Sequence, residues 1–259
     1  RQGPVTGLTL GLSEMPSYLP AAFLAAEDRR FFQHSGIDLL GLARAAYANY
    51  EAGRVVAGGS SISQQTVKLL SGDRERTLGR KFRELLNTAA LERRFSKQQI
   101  LEIYLNHIYL GENTYGVDAA ARGYFGISAR QATLAQVAML AAVTRAPTAF
   151  SPRRDPVTAQ VRANRVLDAM VETGAITAAA AAEAKAHPAQ LIAPKRDDHG
   201  YVLDAAAEEA QRLLTENGVS SGAFLVYTTI QSGLQRQAEA ILVNAGRGQG
   251  RPLDFSQGA

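Results

Sequence analysis

Three short stretches hold side chains whose types and spacing could do chemistry. The first contains Glu27. On a helical wheel of about 100° per residue, Glu27 falls among Phe23, Leu24 and Phe31, on the apolar stripe of a helix expected from about Pro20 to Arg30. A carboxylate there gives up water and becomes a candidate general acid or base, while Asp28 beside it points further toward solvent. The same residues also allow a plain structural reading, an ion pair of Glu27 with Arg29, Arg30 or another cation.

The second stretch is an amphipathic helix over residues 77–94. Leu78, Phe82, Leu85 and Ala89 line one side, and Arg76, Arg80, Arg83 and Glu84 line the other. Read as structure, this is a solvated face with an Arg80–Glu84 pair. Read as a site, it is a cationic wall with one carboxylate set in it, suited to a pyrophosphate. The third stretch is Gly58-Gly59-Ser60-Ser61-Ile62-Ser63-Gln64-Gln65, with Lys68 following. Paired glycines before a helix let backbone approach a ligand, and free N–H groups there attract anions. Hydroxyls and amides can bind sugar hydroxyls or phosphate oxygens. The pattern is not a nucleotide-binding P-loop, and by itself it is an ordinary Gly-Ser loop.

Charge supports an anionic partner. Residues 68–97 carry nine Lys/Arg and four Asp/Glu, a surplus of +5 against +4 for the whole 259-residue chain. One segment therefore holds the entire positive excess, fitting phosphate, nucleic acid or an anionic membrane face. There is no Cys, which excludes disulfides and thiol catalysis, and the four His show no metal-ligand spacing. Apolar residues make up 46%, enough for a globular core, and no run is long enough to span a membrane. Arg1 is not a natural start, so the chain is expected to be part of a longer protein.

Helices must position these residues. Asp38 is expected to cap a helix with apolar positions from Leu39 to Tyr50. Three capping boxes, Ser61/Gln64, Ser96/Gln99 and Thr133/Gln136, open helices reaching about Leu70, His107 and short of Pro147. Further helices are expected at roughly 157–173 and 177–186, then a boundary loop over 187–200. A helix near 201–216, a strand near 223–230 and a helix near 231–244 follow, with a frayed Gly-rich end.

Taken in order, these segments resemble family 51 glycosyltransferases, the peptidoglycan polymerase domain of class A penicillin-binding proteins and their monofunctional relatives. Glu-Asp-x-x-Phe-x-x-His-x-Gly stands as residues Glu27 to Gly36. GGSTITQQ-x-x-K stands as Gly58 to Gln65 with Lys68, Ser61 and Ser63 replacing two Thr and keeping both hydroxyls. R-K-x-x-E stands as Arg80, Lys81 and Glu84. Ile100–Asn106, Tyr109-Leu110-Gly111, Tyr115-Gly116-Val117, Tyr124-Phe125-Gly126 and an Ala-rich helix over Leu134–Pro147 complete the match across about the first 155 residues. Residues 218–243 resemble the lead-in to a transpeptidase domain, with Gln231 where the family usually has Asp. No Ser-x-x-Lys occurs, so no acyl-enzyme with a β-lactam is expected.

The resemblance implies a mainly α fold: a lysozyme-like glycosyltransferase domain of two lobes, the smaller dipping toward the membrane, followed by a small α+β linker. It places the domain core at 1–155, its helical C-terminal part and linker at 156–199, and the start of a linker/transpeptidase region at 200–259. It implies a peptidoglycan glycosyltransferase that polymerises lipid II by inverting displacement of polyprenyl pyrophosphate. Glu27 would be the base, and Glu84 would orient substrate or a divalent ion. Lys68 and Arg76 would hold the phosphates with Arg80 and Lys81 in support, Ser60, Gln64 and Gln65 would bind donor sugar or phosphate, and Asp28 and Asn106 would support them. A Mg²⁺ or Mn²⁺ ion could share in neutralising the diphosphate, with ligands unassigned. Expected partners are lipid II, the growing lipid-linked glycan, the membrane surface, moenomycin-type inhibitors and other cell-wall synthesis proteins, but no nucleic acid. The expected place is the periplasmic, outer face of a bacterial inner membrane. Two rivals are a lysozyme-like hydrolase or lytic transglycosylase, and a non-catalytic module that binds anionic membranes.

Overall fold

In the computed structural model, residues 5–54, 59–71, 77–193 and 200–216 are described, together with 234, 237, 238 and 241. Contacts divide the chain into one unit over residues 3–194 and another formed by 1–2 with 195–259. The second unit's described part is the helix α10 (Gly200–Glu216), with 234, 237, 238 and 241 also helical. The strand expected near 223–230 and most of the helix expected near 231–244 lie outside the described residues.

The first unit is almost wholly helical. It begins with β1 (Val5–Thr6) and then runs through α1 (Tyr18–Glu27), α2 (Leu39–Ala52), α3 (Ile62–Ser71), α4 (Leu78–Arg94) and α5 (Lys97–His107). After β2 (Thr114–Tyr115) come α6 (Val117–Phe125), α7 (Leu134–Ala142), α8 (Pro156–Glu172) and α9 (Ala178–Ala186). All three expected capping boxes form. In the first, Ser61 N–H donates to Gln64 Oε1 at 2.9 Å and Gln64 N–H to Ser61 Oγ at 3.2 Å. Those of Ser96/Gln99 and Thr133/Gln136 open α5 and α7.

One core runs through the unit. α1, α7 and α8 pack on one another, while α3 packs on α4 and α5. Leu19, Phe23, Tyr104, Leu105, Tyr124, Leu140, Leu167 and Met170 are fully buried. The alanines of α7, Ala135, Ala138 and Ala141, are buried with them, and their small side chains let backbones approach closely. No described helix is long and apolar enough to cross a membrane.

Side chains lace the N-terminal segment to this body. β1 pairs in parallel with β2, in the register Val5↔Thr114 and Thr6↔Tyr115. Beyond it, alternate N–H groups each find a side-chain acceptor: Leu8 on Asp118 (3.0 Å), Leu10 on Asn106 (2.9 Å) and Leu12 on Glu102 (3.0 Å). At Gly7 a β-carbon would lie 2.2 Å from Ala119 N, so only glycine lets the segment lie this close.

Candidate active site

α1 ends at Glu27, three residues sooner than its apolar pattern suggests, and the backbone leaves helical geometry at Asp28. That early stop corrects the expectation that Asp28 faces solvent. Asp28 is only 7% exposed, and its Oδ2 accepts from Ile62 N–H at 3.1 Å, at the first residue of α3. His34 Nε2 lies 3.1 Å from both Asp28 oxygens. A carboxylate at a helix N-terminus meets unpaired N–H groups and the positive end of the helix dipole. Asp28 thus joins the end of α1 to the start of α3. Gly36 lies on the same turn at φ +88°, where a β-carbon would sit 2.7 Å from Thr88 Cγ2 of α4.

Glu27 is half-buried and held by neutral donors. Gln65 Nε2, from α3, donates to its Oε2 at 2.9 Å, and Thr144 Oγ1, just past α7, donates to its Oε1 at 2.5 Å. Neither arginine of the structural reading reaches it: Arg29 pairs with Glu172 (2.7 Å) and Arg30 with Asp38 (3.1 Å). Behind Gln65, the Tyr104 hydroxyl donates to Gln65 Oε1 at 3.3 Å. Burial, reinforced by the charges of Glu27 and Asp28, pushes the Tyr104 phenol well above its usual range, so it stays a donor. That fixes the Gln65 amide with its NH₂ toward Glu27. The result is a carboxylate with both oxygens oriented by neutral donors and, among the described residues, no cation paired with it.

The remaining expected residues fall into distinct groups. Ser60 and Lys68 are exposed, and Lys68 stands one helical turn from Gln65 on the same face of α3, with no ion pair among the described residues. Arg76 and Gly58 lie outside the described residues. Gln64 is buried with its Oε1 committed to the α3 cap, which leaves its carbonyl unavailable to a ligand. Asn106 does not face a ligand either: Nδ2 donates to the carbonyls of Leu10 and Glu102, both at 2.9 Å, and Oδ1 takes Leu10 N–H. The short extended segment needs that clamp, and it uses both amide atoms.

α4 is oriented opposite to expectation. Glu84, Thr88 and Leu91 are buried, while Phe82 is 64% and Leu86 57% exposed, and Ala89 is exposed as well. Glu84 faces inward because it is neutralised there, with Arg80 Nη1 2.7 Å from its Oε2 and Lys81 Nζ on its Oε1, while Arg83 is exposed. A buried acid between two cations leaves a compact cluster with a net charge of +1. Next to it, Ser63 donates to Glu92, which Lys97 also pairs with at 2.7 Å while lying over the Phe31 ring. Among the described residues no three His, Asp or Glu gather as metal ligands, and Glu84 already carries two cations. These side chains do not by themselves fit a divalent ion.

Thr144, Tyr104 and Glu92 carry contacts that the sequence did not assign. Tyr104 lies in a recognised motif without a role there. Thr144 has no spacing cue except its place at the end of the Ala-rich α7.

The model of the family described as Transglycosylase matches residues 5–171. The chain belongs to that family. Among relatives of this transglycosylase domain is penicillin-binding protein 1A of Aquifex aeolicus, 41% identical over 236 residues, covering 90% of this chain and 32% of that protein. Penicillin-binding protein 1A of Neisseria cinerea is 38% identical over 237 residues, covering 90% and 30%. The chain thus spans about a third of the length of the curated relatives it matches. A crystal structure of penicillin-binding protein 1A from Haemophilus influenzae superposes with a TM-score of 0.51 at 24% identity, over 93% of this chain and 26% of that one. It supports the mainly helical fold of the transglycosylase domain.

Proposed function

We propose that this transglycosylase domain polymerises lipid II into glycan strands, with Glu27 as general base. The observation that carries the reading is the state of Glu27: half-buried and oriented, among the described residues, by two neutral donors, Gln65 and Thr144. In this reading Glu27 takes the proton from the acceptor sugar 4-hydroxyl as that oxygen attacks the donor anomeric carbon. The bond from that carbon to the pyrophosphate breaks, the electron pair leaves with the pyrophosphate, and the configuration inverts. Lys68 and Arg76 stabilise the leaving group where its charge develops, with Arg80, Lys81 and Glu84 as a supporting cluster and Ser60 on the donor. Asp28, Gln64 and Asn106 act by holding backbone.

The reading extends to partners and place. Leu39, Leu40, Tyr47 and Tyr50 of α2 and Phe82 and Leu86 of α4 are large apolar side chains left exposed, which suits a membrane surface where lipid-linked substrate resides. The outer face of a bacterial inner membrane, moenomycin-type inhibitors and other cell-wall synthesis proteins belong to the same proposal. So do the two-lobed division and the domain limits 1–155, 156–199 and 200–259.

A polymerisation assay with purified lipid II tests the function. Native protein should lengthen glycan, and Glu27→Gln should lower turnover about 10²-fold or more with lipid II binding retained. Undiminished turnover of that variant would remove Glu27 as the base. Cleavage of mature peptidoglycan without chain growth would instead select the hydrolase.

A further inference from the structure

We infer that Thr144 is a positioning residue that keeps the Glu27 carboxyl in one orientation through both of its protonation states. The inference rests on the reading of Glu27 as the base.

A carboxylate that accepts a proton and later returns it changes its hydrogen-bonding character. As the anion it only accepts, and as the acid it carries a donor. A partner able only to donate suits the anion, and it leaves two hydrogens facing each other if the neighbouring oxygen is protonated. Gln65 is such a partner. Its NH₂ is fixed toward Glu27 Oε2 by the bond from Tyr104 to the other end of the amide. Oε2 is therefore the oxygen that keeps its donor, and Oε1 is the one left to take the proton.

Oε1 faces the Thr144 hydroxyl, which has a second acceptor within reach. Thr144 Oγ1 lies 2.5 Å from Glu27 Oε1 and 2.9 Å from the carbonyl oxygen of Ala141, in the last turn of α7. One hydroxyl hydrogen cannot serve both, so two arrangements exist. With Glu27 ionised, the hydrogen points to Oε1. Once Oε1 has accepted the sugar proton, its new O–H donates to Thr144 Oγ1, and the threonine hydrogen turns to the Ala141 carbonyl. The Glu27 carboxyl and the Thr144 hydroxyl are paired in each arrangement, and the carboxyl need not rotate between them. Keeping the base in line with the attacking oxygen is the contribution expected of such a contact.

The test compares Thr144→Val, which keeps the shape and loses the hydroxyl, with Thr144→Ser, which keeps the hydroxyl and loses the methyl. kcat and KM for lipid II and the melting temperature are read for each, with Glu27→Gln in parallel. The expected result is a kcat about tenfold lower for Thr144→Val at unchanged KM, and near-native kcat for Thr144→Ser. If Thr144→Val does not fold, Thr144→Ala is read in its place with the same expectation. Native kcat in the hydroxyl-free variant overturns the inference. Equal loss in the Val and Ser variants overturns it too, since packing would then be the cause. If Glu27→Gln is inactive while Thr144→Val is native, only this inference fails. If Glu27→Gln is active, the base assignment itself fails.

Discussion

Gln65 Nε2 lies 2.9 Å from Glu27 Oε2, and through this contact α3 grips the end of α1. The same two elements meet again one residue on, where Asp28 takes the first N–H of α3. Base and loop are thus set against each other by two bonds rather than by apolar packing alone, which makes the arrangement sensitive to single polar changes.

Gln65→Met keeps the length of the side chain and removes its amide. Tyr104 and Glu27 each lose a partner, so turnover should fall about tenfold or more. Stability should fall by only about 1 kcal/mol, since the pair is half-buried. Lipid II polymerisation and thermal unfolding of the same sample check both.

Lys68→Ala removes an exposed cation one turn from Gln65. Affinity for moenomycin should drop about tenfold while the melting temperature holds, because an exposed lysine contributes little to folding. Inhibitor titration measures it, and unaltered affinity would rule Lys68 out of the phosphate site. Arg76→Ala is expected to act in the same direction.

Replacing Phe82 and Leu86 together by Ser should weaken association with anionic vesicles severalfold, and leave stability within about 0.5 kcal/mol. Both side chains are exposed, so little core packing is lost. Vesicle co-sedimentation alongside denaturant unfolding separates the two effects.

Asp118 sets an acid limit on stability. Burial pushes its carboxyl up, but bonds from Arg122, Ser128 and the N–H groups of Leu8 and Ala129 outweigh that and hold it at about 2, below the ordinary 3.8. A carboxyl lowered by folding adds stability above 3.8 and loses it as pH falls toward 2. The gain at neutral pH is about 2 kcal/mol. Asp118→Asn should cost at least that much at pH 7, and the difference from native protein should shrink between pH 4 and pH 2. Denaturant unfolding across that range measures it.

Much of the helical framework is legible in the sequence because caps are local. Ser61/Gln64, Ser96/Gln99 and Thr133/Gln136 each satisfy their own helix start within four residues. The orientation of α4 was not legible. A wheel separates Phe82 from Glu84 but cannot say which face meets the body, and the ion pairs of Glu84 allow the polar face to go inside. Asp28 was misplaced for a related reason, since the wheel assumed helix past Glu27 where the backbone turns. Thr144 meets Glu27 across 117 residues of chain, a distance over which no periodicity carries information.

The laced N-terminal segment bears on any attempt to shorten this protein. A version starting at Ser13 would remove Leu10, a fully buried part of the core. It would also take the amides of Leu8, Leu10 and Leu12 away from Asp118, Asn106 and Glu102. Trimming a dozen residues here would therefore unsettle α5 and α6 from behind, and a shortened version should retain Val5 to Leu12.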